Sequence, residues 1–145
     1  MHQRQINPTQ DSQIKSWIAA IADFNQGRYW HAHELFEKGW RDLSEPDRSN
    51  IKAIIQFCGV CVHLQNKRYD PALRLALRSL EIFSEVSAHQ QLMHGSVPNP
   101  LVSIVVPQIE DVLLKVAAHL KVNHHDSDFL LSLAKPLKAR LHEFS

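Results

Sequence analysis

Ile51-Lys52-Ala53-Ile54-Ile55-Gln56-Phe57-Cys58-Gly59-Val60-Cys61-Val62-His63-Leu64 is the one helix-length stretch of this chain that is apolar on nearly every side. A helix that is hydrophobic almost all round belongs in the middle of a bundle, covered by helices that each need only one apolar stripe. The exceptions carry the information. Lys52, Gln56, Gly59 and His63 are spaced four, three and four residues apart, which at about 3.6 residues per turn stacks them in a single line. A buried helix with one polar stripe holds either a hydrogen-bond network or a site.

Upstream, Ile14, Trp17, Ile18, Ile21 and Phe24 form the stripe of a first helix, which Thr9 or Asp11 can cap and Gly27 ends. A second helix is predicted from Arg28 or Tyr29 to about Leu43, with Tyr29, Ala32, Phe36, Trp40 and Leu43 on one side. The short link makes these two a hairpin. Ser44-Glu45-Pro46-Asp47 starts the central helix, with Ser44 as N-cap and Asp47 in the capping-box position.

Downstream, Asn66 to Pro71 breaks the chain, Asp70 capping a fourth helix and Pro71 taking its first position. Its apolar residues fall in two rows, Leu73, Leu77, Leu80 and Phe83 or Ser84 in one, Leu75, Ile82 and Val86 in the other. Arg74, Arg78, Glu81 and Glu85 form its solvated side. From about Ala88 to Pro100 a long loop is expected, because His94 to Pro100 is turn chemistry. A fifth helix begins between Ser103 and Pro107 and carries Ile109, Val112, Leu113, Val116 and Leu120. His124-His125-Asp126-Ser127 then breaks and caps again, ahead of a last helical segment from Asp128 to Phe144 with a kink or restart at Pro136. No strand alternation and no internal repeat interrupts the pattern. The expectation is an all-α fold, a single compact bundle of about five to six helices around a central apolar helix near residues 45–65, with residues 1–145 as one domain.

With 16 Lys and Arg against 15 Asp and Glu the net charge is +1 and no long basic run breaks the balance, which argues against nucleic acid and anionic membrane as partners. No stretch reaches the roughly 18 apolar residues of a membrane span, and Met1-His2-Gln3-Arg4-Gln5 lacks the apolar core of a signal peptide. A cytoplasmic protein that takes a small molecule or another protein as partner is the expectation. Cys58 and Cys61 have the spacing of a redox dithiol, yet they sit in mid-helix among apolar residues rather than at a helix start, and read as core thiols.

The ten histidines call for inspection one by one. His33 falls within about 40 degrees of Tyr29 and Trp40 on the wheel of the second helix, with Glu37 one turn on. Glu34 points further toward solvent, close enough to Glu37 to serve the same site. Buried polar groups need partners, and the polar stripe of the central helix is the expected one. Gln56 and His63 lie about two turns apart there, with Gly59 between them leaving room for a ring, a water or a ligand. The candidate site is therefore an interhelical polar pocket of His33, Glu37, Gln56 and His63, bordered by Tyr29 and Trp40.

The segment from Phe24 to Arg41, and within it Ala32, His33, Glu34, Glu37 and Trp40, resembles the signature of a small bacterial and archaeal family, domain of unknown function 309. In that signature a Gly-x-Tyr/Phe stretch leads into Ala-His-Glu-x-x-Glu-x-x-Trp. The likeness continues more loosely through Ile55, Gln56 and His63 and through Ala72-Leu73-Arg74-Leu75, covering about residues 20 to 85. The resemblance implies a compact helical fold and carries an older label, predicted metal-dependent hydrolase.

His33-Glu34-Leu35-Phe36-Glu37 is one residue away from the zincin pattern His-Glu-x-x-His, in which two ring nitrogens bind zinc and the first Glu is general base. With a Glu as the second ligand, His33, Glu37 and His63 are candidate ligands of a divalent metal, zinc or manganese, Glu34 the candidate base, and water the occupant of an open position. Two other readings stand beside it. One is a structural hydrogen-bond network among His33, Glu37, Gln56, His63 and the Trp40 indole; the other is a small-ligand pocket without metal. A carboxylate-bridged di-iron site is excluded, since the chain has no Glu-x-x-His pair. His124-His125-Asp126 reads as a capping loop, and His89 and His94 as solvated loop residues. Two classes of function follow, a metal-assisted hydrolase and a non-catalytic binding or scaffolding bundle.

Overall fold

The structure, a computed structural model, describes residues 8–92, 98–134 and 136–139. Six helices follow one another as α1 (Pro8–Asn25), α2 (Tyr29–Glu37), α3 (Asp47–Gln65), α4 (Tyr69–Leu92), α5 (Pro100–Lys121) and α6 (Ser127–Ser132), with a 3₁₀ turn at Trp40–Asp42 between α2 and α3. No strand occurs among the described residues, and no helix there is long and apolar enough to cross a membrane.

The centre is α3, which packs against α2, α4, α5 and α6. It buries Ile51, Ala53, Ile54, Phe57, Cys58, Val60, Cys61 and Leu64, the nearly all-round burial that its sequence predicts. The helical bundle around this segment is thus the fold observed. Trp17 and Ile21 of α1, Phe36 of α2, Ile51 and Ile54 of α3 and Leu101 of α5 close round one apolar gap, so four helices share a core. Each large side chain buried there contributes about 1.5–3 kcal/mol.

Several boundaries differ from the sequence expectation, each for a local reason. Helix α2 stops at Glu37, because Lys38 turns extended at ψ 115 and Gly39 takes the left-handed conformation at φ 73. Trp40 and Leu43 therefore leave the helix, and the wheel relation between Trp40 and His33 lapses. At the start of α3 the N-cap position falls on Pro46 rather than Ser44, and the accepting oxygens come from Glu45 just before it: its carboxylate accepts from the Ser49 amide at 2.9 Å and from the Ser49 hydroxyl at 2.7 Å. Helix α4 begins at Tyr69, which puts Asp70 inside the first turn instead of at the cap. It also runs past Ala88 to Leu92, into the stretch expected as loop. Helix α5 starts earlier than expected, at Pro100, with the Asn99 side chain accepting from the Leu101 amide at 2.9 Å, and it passes through Pro107.

The face that α4 buries is the largest correction. Ala72, Ala76, Ser79 and Phe83 are buried, whereas Leu73 and Leu80 are half-buried and Leu77 is 39% exposed. The hydroxyl of Ser79 donates to the carbonyl of Ala53 at 2.8 Å, so α4 lies close enough for a two-atom side chain to reach the α3 backbone. Arg74, Arg78, Glu81 and Glu85 are exposed as expected.

The last predicted helix shrinks to α6, where the Asp126 carboxylate accepts from the Phe129 amide at 3.1 Å. Residues 136–139 are not helical, and the remainder of that predicted helix, to Phe144, lies outside the described residues, as do His94 and the side chains of Thr9 and Asp11. Two side-chain amides hold this segment. Asn25 donates to the Leu137 carbonyl at 3.0 Å and accepts from the Leu137 amide at 2.7 Å; Gln108 donates to the Lys138 carbonyl at 2.6 Å and accepts from the Lys138 amide at 2.8 Å. Each supplies the donor and the acceptor that a neighbouring strand would otherwise supply.

Candidate functional site

Tyr29 of α2 is buried, its ring edge-on to Phe24 at 4.9 Å. Its hydroxyl is pushed up to about 12, first by burial and then by Cys61 and Cys58 of α3. Helix α2 therefore lies on the cysteine face of α3. Both thiols are buried and free, and burial pushes each of them up, which keeps them protonated core groups as expected.

Residues of the polar stripe of α3 meet α4. A Cβ placed on Gly59 would meet Leu75 Cδ2 at 2.8 Å, and Gln56 lines a cavity with Arg78, Glu81 and Ile82. His63 is held below the ordinary imidazole value, by burial first and then by Arg68 and Arg74. The folded protein binds this proton more weakly than the unfolded chain, so stability rises with pH through the window just under the ordinary value of about 6.5 and is flat above it. His63→Gln should reduce the slope between about pH 5 and about pH 7; urea midpoints with an unchanged slope would remove His63 as a contributor.

On α2, His33 Nδ1 lies 3.3 Å from Glu37 Oε2. The approach lacks the alignment of a hydrogen bond, and the buried Nδ1 has no other partner. The ring stacks on Trp30, with centroids 4.9 Å apart and planes 6° from parallel, and Trp30 is 57% exposed. Glu34 and Glu37 are exposed. Trp40, on its 3₁₀ turn, carries the guanidinium groups of Arg41 and Arg48 at 5.7 and 5.9 Å from its ring.

The structure thus brings His33 and Glu37 together on one face of α2. No three His, Cys, Asp or Glu side chains among the described residues are grouped to hold a metal ion. His33, Glu37 and His63 are accordingly not grouped around one ion; helix-wheel angles place a stripe on its own helix without saying which neighbour covers it.

What the stripe does form, with α4, is a groove. One cavity of about 350 Å³ is lined by Glu45, Ser49, Lys52, Glu85, Val86 and His89 among others. A second, of about 360 Å³, is lined by Lys52, Gln56, Arg78, Glu81 and Ile82. Lys52 and Ile82 line both, so the two lie side by side along the α3–α4 seam. None of Lys52, Arg78, Glu81 and Glu85 forms an ion pair with another described residue. The amide oxygen of Gln56 is buried with no hydrogen-bond partner. Sequence reading set Arg78, Glu81 and Glu85 aside as a solvated face; the signal it passed over was that their three- and four-residue spacing matches that of Lys52 and Gln56 across the interface.

No curated protein and no solved structure matches the chain. A family model does, over the part of the molecule that contains the second half of α1, all of α2 and α3 and the first turns of α4. The model is that of DUF309, a domain of unknown function, and it matches residues 17–75, the part of the chain to which this family likeness extends.

Proposed function

We propose that this protein is a non-catalytic binding bundle whose ligand seat is the groove between α3 and α4, and that the ligand is a small zwitterion. The observation that carries this reading is the Gln56 amide oxygen, buried without a partner at the wall of the groove. A buried acceptor left unpaired costs about 1–3 kcal/mol, a cost that a ligand N–H or O–H removes on binding. The charges on the walls give the ligand its class. Lys52 and Arg78 suit a carboxylate or phosphate, Glu81 and Glu85 suit an ammonium group, and Ile82 between them supplies apolar contact. Each cavity falls within the usual range of small-molecule sites, about 300–1,000 Å³.

A hydrolase built on His33, Glu34, Glu37 and His63 has less support, because its three candidate ligands are not grouped for one ion. In the groove the Ser49 hydroxyl is bonded to the Glu45 carboxylate, but the same carboxylate accepts from the Ser49 amide, so the pair serves to hold the start of α3.

Gln56→Leu tests the proposal through two readouts of opposite sign. If the oxygen is kept for a ligand, the variant should be more stable than wild type without ligand, by about 1 kcal/mol, since an apolar group of similar size replaces an unsatisfied one. The same variant should lose the amide shifts that free amino acids or dipeptides induce at Lys52, Arg78 and Ile82. A variant that is less stable than wild type, in a protein whose spectrum no zwitterion perturbs, would establish the polar stripe as structural.

A further inference from the structure

We infer that His119 and His124 form a two-histidine chelate for a divalent transition-metal ion of square-planar or octahedral preference, Cu²⁺ or Ni²⁺. The site lies at the corner between α5 and α6, outside the matched segment and apart from the α3–α4 groove.

Its geometry is specific. The two Nδ1 atoms lie 2.9 Å apart. Two metal–nitrogen bonds of about 2.0–2.1 Å at a right angle place their nitrogens about 2.9 Å apart, whereas a tetrahedral angle places them about 3.3 Å apart. The pair therefore fits adjacent corners of a square or an octahedron, the preference of Cu²⁺ and Ni²⁺, better than the tetrahedron of zinc.

The rings are held before any ion arrives. His119 occupies the last turn of α5, and its carbonyl accepts from the amides of Val122 at 3.2 Å and of His124 at 3.0 Å. Asn123 makes the reversal at φ 58. Phe129 packs against both rings, 4.9 Å from each centroid, and is itself fixed by the Asp126 cap. The adjoining His125 is turned away, stacked on Tyr69 at 4.4 Å, and Tyr69 is bonded through Ser127 to the Leu64 carbonyl of α3. The C-terminal end of α5 adds a favourable field, because unpaired carbonyls there carry partial negative charge.

Without metal, the two neutral rings satisfy one another: one Nδ1–H donates to the other Nδ1, so the rings hold opposite tautomers. A metal ion takes both lone pairs. The donor ring then carries its proton on Nε2 instead of Nδ1, and no proton is released on balance. With only two protein donors, water fills the remaining positions, which both half-buried rings leave accessible.

The test uses full-length protein without a histidine tag. CuCl₂ is titrated into wild type, His119→Gln, His124→Gln and His125→Gln, with circular dichroism as the check on folding. Wild type and His125→Gln should bind one Cu²⁺ with equal affinity and show electron-spin coupling to two imidazole nitrogens, and each of the other two variants should bind at least tenfold more weakly. Since either variant can perturb the α5–α6 corner, paramagnetic broadening by Cu²⁺ in wild-type amide spectra is measured as well, and should centre on residues 119–129. Affinity unchanged by His119→Gln or His124→Gln, affinity lost with His125→Gln, or broadening centred elsewhere would overturn the assignment.

Discussion

Phe57→Ala is expected to lower the stability of this protein by about 3–5 kcal/mol, the largest effect of any single truncation considered for it. Phe57 sits at the middle of α3 with 1% of its surface exposed, and its ring lies 5.1 Å from that of Phe24 on α1. Truncation removes the transfer energy of the ring and leaves a cavity at a point that α1 and α3 both line, where collapse is resisted by several packed helices. A domain of ordinary stability has about 5–15 kcal/mol in total, so the variant loses a large share of it. Urea unfolding followed by circular dichroism reads the difference as a shift in midpoint at constant slope. A midpoint near that of wild type would mean that α3 is not the centre of the bundle.

That centrality was legible because composition alone carries it. A segment with apolar residues at nearly every helical angle has no stable place other than the interior, whatever the topology around it. The exceptions along it were legible too, since Lys52 is exposed and Gln56, Gly59 and His63 are half-buried. The partner of that stripe was not. Periodicity reports an angle about one helix axis, and His33 and Arg78 are equally good candidates to face Gln56 until the packing of α2 and α4 is known. The same limit hid the clamps on residues 137 and 138, since Asn25 meets Leu137 across 112 positions of sequence and no local pattern marks the pairing. The end of α2 was within reach: Gly39 lies inside the predicted helix, and a glycine there is a frequent mark of a left-handed stop. The aromatic and apolar residues beyond it, Trp40 and Leu43, continued the helical spacing and outweighed that signal. The likeness to DUF309 holds over residues 17–75 whether or not the helix continues past Glu37.

Ala76→Leu is the second substitution with a large expected effect, and it separates two readings of α4. Hydrophobicity favours the leucine row, in which Leu77 ranks as core, yet Leu77 is 39% exposed and Ala76 is fully buried. The reason is distance. Helices approach closely where both present small residues, and here Ala72, Ala76 and Ser79 form the buried row of α4, with the Ser79 hydroxyl reaching the Ala53 carbonyl at 2.8 Å. A leucine at position 76 has no volume to occupy unless α4 moves off α3, and overpacking of this kind costs about 1–3 kcal/mol. Leu77→Ala, which removes a side chain already largely in water, should change stability by less than about 1 kcal/mol. The two variants therefore order oppositely under the two readings, and urea midpoints decide between them: a costly Leu77→Ala with a tolerated Ala76→Leu would put the leucine row in the core. The displacement also reaches the groove. Arg78 and Ile82 are carried on the same helix as Ala76 and line the cavity opposite Lys52 and Gln56, so a helix pushed outward widens the gap that a zwitterion must bridge. Ala76→Leu should then weaken ligand binding even under conditions where it remains folded, whereas Leu77→Ala should leave binding unchanged.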